Sequence, residues 1–211
     1  MEVVKKKDIS RRDFLRAITG IGIGAIAGGA VSAPASALVN NTVGNVTGQP
    51  TGNAFNADKV KQKCKNDPNF NDCKEEYVHT ETNIINSTVI APITEELGYR
   101  AVPSFFLDLA DNDIDSTKPV PKTTLFGKES YKLTRKELIY GLASSAIFAY
   151  THNMYTKQNS NGGDSLVFNT GTIPAAQFTT GMMLWYLTRK YGIGSAVAAH
   201  SAHNAVVIIG A

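Results

Sequence analysis

The second half of the chain alternates long apolar stretches of helical period with short polar or glycine-bearing breaks. The first stretch runs from about Ile84 or Thr88 to Leu109, with Pro92 near its start, where a missing N–H costs little. Pro103, deeper in, is expected to kink or break it. A second helix is predicted from about Thr134 to Tyr155, a third from Ile173 to Tyr191 and a fourth from Ile193 to Ala211. Pro174 suits the first turn of the third, and Gly192 and Gly194 separate the last two. The polar loop from Asp111 to Leu133 alternates Asp111, Asp113 and Asp115 but lacks the glycine and closing glutamate of a calcium loop. The pattern predicts an all-α fold, a bundle of about four core helices over residues 84–211. The third and fourth helices approach spanning length without a formal charge, yet Thr, Gln, Ser, His and Asn dilute them. Mean hydropathy is only −0.13. A membrane-embedded bundle and a membrane-associated or soluble one both remain open on hydropathy.

The first 37 residues read as targeting. Lys5, Lys6 and Lys7 precede Ser10-Arg11-Arg12-Asp13-Phe14-Leu15-Arg16, a twin-arginine export pattern. An uncharged Gly/Ala/Ile stretch, Ala17 to Val31, follows, and then Ala35-Ser36-Ala37 at signal-peptidase spacing. An uncleaved N-terminal anchor differs from this reading only in whether cleavage follows. Residues 38–57, rich in Asn, Gly and Thr, are expected to form a flexible linker. Residues 58–83 are strongly charged and hold Cys64 and Cys73; in an exported chain a disulfide between them is expected.

Charge then changes the picture. The whole chain carries 21 basic and 18 acidic side chains, but outside residues 1–37 fifteen of each remain. The basic balance belongs to the leader, and no footprint for nucleic acid is left.

Three polar sites interrupt the apolar helices. Glu96 and Arg100 are four apart on one helical face, acid first, which favours an ion pair. Neighbouring Glu95 lacks that partner and is free to act as a general base. His152 closes the apolar run from Ile139 to Tyr150. His200 and Asn204 share a face of the fourth helix, with His203 close by, between uniformly apolar flanks. Polar groups in such surroundings are costly to bury and mark a functional site.

The order EExxxR, FxxxH, HxxxN resembles the three motifs of the CPBP (Abi) family, which includes type II CAAX prenyl endopeptidases and bacteriocin-processing proteins. The resemblance covers about Val89 to Ala211. It implies an intramembrane-type endopeptidase in which Glu95 and His152 hold and activate a water. His200 and Asn204 would then stabilise the oxyanion, Arg100 would lock Glu96, and Phe148 would pack beside the site. No cofactor is expected; the alternative is zinc on Glu95, His152 and His200. The implied partners are a protein or peptide substrate and the membrane, with the catalytic domain exported or outward-facing, or the chain secreted. Such a site would not meet prenylated cytosolic tails, so cleavage of an envelope or exported protein is expected instead. The rival class is a catalytically silent exported helical protein used for binding or immunity. The family's extra hydrophobic helices before the first motif are replaced here by the leader, the linker and the cysteine-bearing segment.

Overall fold

The computed structural model describes residues 10–47, 84–111, 122–128, 130–158, 164–168 and 172–209. Helices make up most of them: α1 (Arg11–Thr47), α2 (residues 86–110), α3 (Lys122–Phe126), α4 (Arg135–Thr151), α5 (Ala175–Tyr191) and α6 (Ile193–Ile209). Strands β1 (Met154–Gln158) and β2 (Asp164–Phe168) pair antiparallel as a hairpin, from Met154 opposite Phe168 to Gln158 opposite Asp164. The all-α expectation holds for the body of the fold, and the hairpin is an addition to it. The predicted second helix stops at Thr151, short of Tyr155, because the chain turns into β1.

Local chemistry sets the helix limits. Ser10 caps α1 by accepting the Asp13 N–H, and its hydroxyl donates to the Asp13 carboxylate at 2.7 Å. The serine of the Ser-Arg-Arg motif is therefore also a helix start. Thr134 caps α4 in the same way through the Glu137 N–H. Gly192 separates α5 from α6 at φ 96°, where a Cβ would lie 2.1 Å from the Leu125 carbonyl oxygen.

Pro103 does not break α2. Three stretches relax into wider π-helical turns, Ala27–Ser32, Asn86–Ile90 and Leu97–Ala101, and two residues after each stands a proline, Pro34, Pro92 and Pro103. Proline removes one backbone donor and pushes its ring against the carbonyl a turn earlier. A wide turn there makes room for the ring, so the helix continues.

The beginning of the expected linker also differs. Residues 38–47 are the last turns of α1, a helix without charged residues beyond Arg16 up to Thr47. Residues 48–57 and the charged segment with Cys64 and Cys73 lie outside the described residues.

α1 lies along α6, α5 packs between α4 and α6, and the first half of α2 leans on α6. The interior this creates is polar. Among the described residues sixteen buried side chains are polar or charged and nine are apolar. Large apolar groups face outward instead, including Ile18, Ile26 and Leu38 on α1, Val102 and Phe106 on α2, and Ile139 and Ile147 on α4. The apolar residues are there, but on the outside. α1 is long and apolar enough to cross a membrane.

Near one end of the bundle a buried charge cluster ties three helices together. The Arg189 guanidinium donates to both Glu137 oxygens at 2.9–3.1 Å and to Asp108, and Lys128 stands 3.2 Å from Glu137. Burial, with Glu137 next, pushes the Tyr131 phenol beside this cluster up to about 12, so it stays neutral.

Candidate active site

The opposite end of the bundle gathers the motif residues. α2 supplies Glu95, Glu96 and Arg100, the C-terminal end of α4 supplies His152, and α6 supplies His200 and Asn204. Glu96 and Arg100 are wholly buried, with Arg100 Nε 3.5 Å from Glu96 Oε2. Arg100 Nη1 also donates to Ser144 Oγ at 2.9 Å and to the Tyr99 carbonyl at 3.2 Å. Ser144 in turn donates to the Tyr99 carbonyl. The other Glu96 oxygen, Oε1, is 3.0 Å from His200 Nδ1. A carboxylate accepts, so His200 donates through Nδ1 and presents Nε2 on its other side.

His152 is fixed by the same logic. Its Nδ1 lies 2.7 Å from the Phe148 carbonyl, which can only accept. Nε2 is thereby left to face Glu95. Glu95 Oε2 stands 3.7 Å from His152 Nε2 and 3.8 Å from His200 Nε2. That oxygen is buried and makes no hydrogen bond among the described residues. With both rings neutral, two nitrogen lone pairs and a carboxylate oxygen converge on one small region. Groups separated by more than 3.5 Å are too far to bond directly, and a small hydrogen donor bridges them naturally.

Phe148, itself buried, packs at the centre of the assembly. Its ring centroid is 4.4 Å from that of His152, 5.7 Å from that of His200 and 5.5 Å from that of Tyr99. The Arg100 guanidinium carbon sits 4.8 Å above it, a cation–π distance. The Tyr99 hydroxyl donates to Thr151 Oγ1 at 3.0 Å, fastening α2 to the end of α4. Asn204 lies one helical turn beyond His200 and donates to the Ser87 carbonyl at 2.7 Å. One of its two amide hydrogens is therefore spoken for, and it closes the site against the start of α2.

Every candidate from the sequence thus reaches this end of the bundle. Tyr99, Ser144 and Thr151 belong to it as well, and only their neighbourhood to the motifs could have hinted at them. His203 points elsewhere, with Nδ1 3.0 Å from Ser32 Oγ on α1.

The donor types of Glu95, His152 and His200 suit zinc, but their spacing does not. Tetrahedral zinc with bonds near 2.1 Å keeps ligand atoms roughly 3.4 Å apart. Both separations here are wider, and no group of three His, Cys, Asp or Glu among the described residues is arranged to hold a metal ion.

The family model described as Type II CAAX prenyl endopeptidase Rce1-like matches residues 79–206, more than half of the chain. The chain belongs to this family. The match takes in all three motifs and both ends of α2. Protease activity on a protein or peptide is the class of function that the Rce1-like family implies. Comparison with curated proteins and with solved structures gave no match.

Proposed function

We propose that this Rce1-like protein is a membrane-embedded endopeptidase that uses a glutamate- and histidine-activated water. The observation that carries the reading is the convergence of His152 Nε2 and His200 Nε2 on Glu95 Oε2 at 3.7 and 3.8 Å, each ring anchored through its far nitrogen. A water there donates one hydrogen to Glu95 and one to a ring nitrogen, which leaves an oxygen lone pair for attack. As the oxygen bonds to the peptide carbonyl carbon, Glu95 takes the proton and the carbonyl oxygen gains charge. The second Asn204 amide hydrogen donates to that oxyanion, while the His200 ring, held through Nδ1–H by Glu96, keeps Nε2 on the attacking water. Collapse breaks the C–N bond, and the proton held by Glu95 passes to the departing amine. The products are a carboxylate and a new amino terminus.

Glu96 and Arg100 act through their neighbours. They orient His200 and Phe148 and do not touch the reacting atoms. The substrate we infer is an envelope or exported protein, because the basic lead and the position of the site favour an outward-facing centre.

The test is terminal-peptide proteomics of envelope and secreted fractions, comparing native cells with a Glu95→Gln strain of equal protein abundance. Loss of a general base costs on the order of 10²- to 10⁴-fold in rate, so specific amino termini should vanish in the variant. A set of termini unchanged by the substitution would rule out the catalytic reading.

A further inference from the structure

The segment with the pattern of a removable leader is built into the fold. Gly20, Gly24 and Gly28 recur every four residues on one face of α1, and Tyr191, Ser195 and Ala199 recur likewise along the facing chain. The two series rise together, so α1 and α6 are parallel neighbours. A Cβ at Gly24 would lie 2.1 Å from the Ser195 carbonyl oxygen, and one at Gly28 would lie 1.8 Å from that of Ala199. Nothing larger than glycine fits those two positions without the helices moving apart. Ser195 and Ala199 are buried beneath α1.

The next step in each series is polar. Ser32, four residues after Gly28, is buried, and its Oγ lies 3.0 Å from His203 Nδ1, four residues after Ala199. Thr180 of α5 then joins the contact, 3.3 Å from Ser32 Oγ and 3.1 Å from Ser36 Oγ. The small residues Ala35-Ser36-Ala37 are therefore helical, with Ser36 hydrogen-bonded to the bundle, whereas a signal peptidase must bind its site extended. His203 is adjacent to His200 on α6 at i, i+3.

We propose that α1 is a permanent helix of the catalytic domain, not removed after membrane insertion, and that Ser32 is a positioning residue that holds the His203 ring against α1. A leader needs only an apolar run of sufficient length and a small-residue cleavage site. It has no need of glycines in register with a distant helix or of a hydroxyl matched to an imidazole. Such close small-residue packing is how helices associate where lipid offers no hydrophobic drive. The hydroxyl bonded at Nδ1, as donor or acceptor, sets the ring's orientation.

Two measurements test this on the full chain bearing a C-terminal tag and purified from membranes. The intact mass should include residues 11–37; a mature terminus at residue 38 or beyond overturns the proposal. Nitrogen-15 spectra of histidine-labelled protein should show a His203 ring shift that changes in Ser32→Ala and returns in Ser32→Thr, with His152 and His200 nearly unmoved. An unchanged His203 signal in folded Ser32→Ala removes the positioning role. Neither readout needs a substrate. If Glu95→Gln leaves every terminus intact while mass and spectra behave as expected, the peptidase reading falls and this inference stands.

Discussion

At the scale of the residue, neighbouring carboxylates do different work because their surroundings differ. Glu96 is wholly buried between Arg100 and His200, whereas Glu95 is partly reached by solvent and faces two ring nitrogens. The first is suited to structure and the second to proton transfer. We predict that Glu96→Ala leaves Arg100 buried without its carboxylate and lowers stability by about 3–5 kcal/mol, the range for breaking a buried ion pair. Unfolding of the detergent-solubilised protein by denaturant would measure it, and Glu95→Ala under the same conditions should change stability far less. A variant pair with equal losses would mean that Glu95 too is structural. Metal removal separates the two ways of holding a water. Because the Glu95 oxygen and ring nitrogens are spaced more widely than a zinc shell, cleavage is expected to survive prolonged chelation. Loss of activity that added zinc restores would place the water on a metal instead.

At the scale of the element, the packing of α1 makes a sharp prediction. Gly24→Leu inserts a side chain where even a Cβ meets the Ser195 carbonyl, so it should force α1 off α6. Gly22→Leu, with nothing within 4 Å of its Cβ, is the matched control on the same helix. The expected outcome is a large drop in the detergent melting temperature for the first and little change for the second. The glycine spacing was present in the sequence and was the signal that α1 belongs to the bundle. It was masked because a basic lead followed by an apolar run fits a leader and an anchor equally well. The four downstream helices were legible for a simpler reason: their apolar periods are long and end at Gly192, at the cap Thr134 and at Pro174. The motif residues were legible because they are polar within those runs. The hairpin was not, although the Asn161-Gly162-Gly163 sequence between two β-rich segments is a turn signal. Pro103 distorts α2 without ending it, because the wide turn before it makes room for the ring, which a proline in the sequence does not reveal by itself. Tyr99 and Ser144 act through a carbonyl and a hydroxyl that no spacing rule singles out.

At the scale of the whole molecule, two polar layers face opposite ends of the bundle. Glu96 and Asp108 on α2 are about 18 Å apart along the helix, and Glu137 and His152 on α4 about 22 Å, at 1.5 Å per residue. One layer is therefore the charge cluster around Arg189, and the other is the candidate active site. Basic residues follow the first layer. In the sequence, fourteen of the 21 Lys and Arg fall up to Arg16, between residues 111 and 136, or at the end of α5, and six fall between residues 48 and 83 or in the hairpin. Such an excess marks the cytoplasmic side of a membrane protein. From Arg16, the last charge of α1, to Gly28 beside the level of His200 is about 18 Å, just past the middle of a hydrocarbon core about 30 Å thick. We therefore predict a site in the outer half. We predict that single cysteines at residue 132, in the basic loop, and at residue 168, on the hairpin beyond His152, each in a chain carrying Cys64→Ala and Cys73→Ala, label from opposite faces of intact cells. A membrane-impermeant maleimide should modify position 168 directly and position 132 only after permeabilisation. The reverse pattern would turn the site toward the cytoplasm, where prenylated tails become reachable, and would shift the substrate from exported proteins to cytosolic ones while leaving the chemistry of Glu95 and the two histidines as it stands.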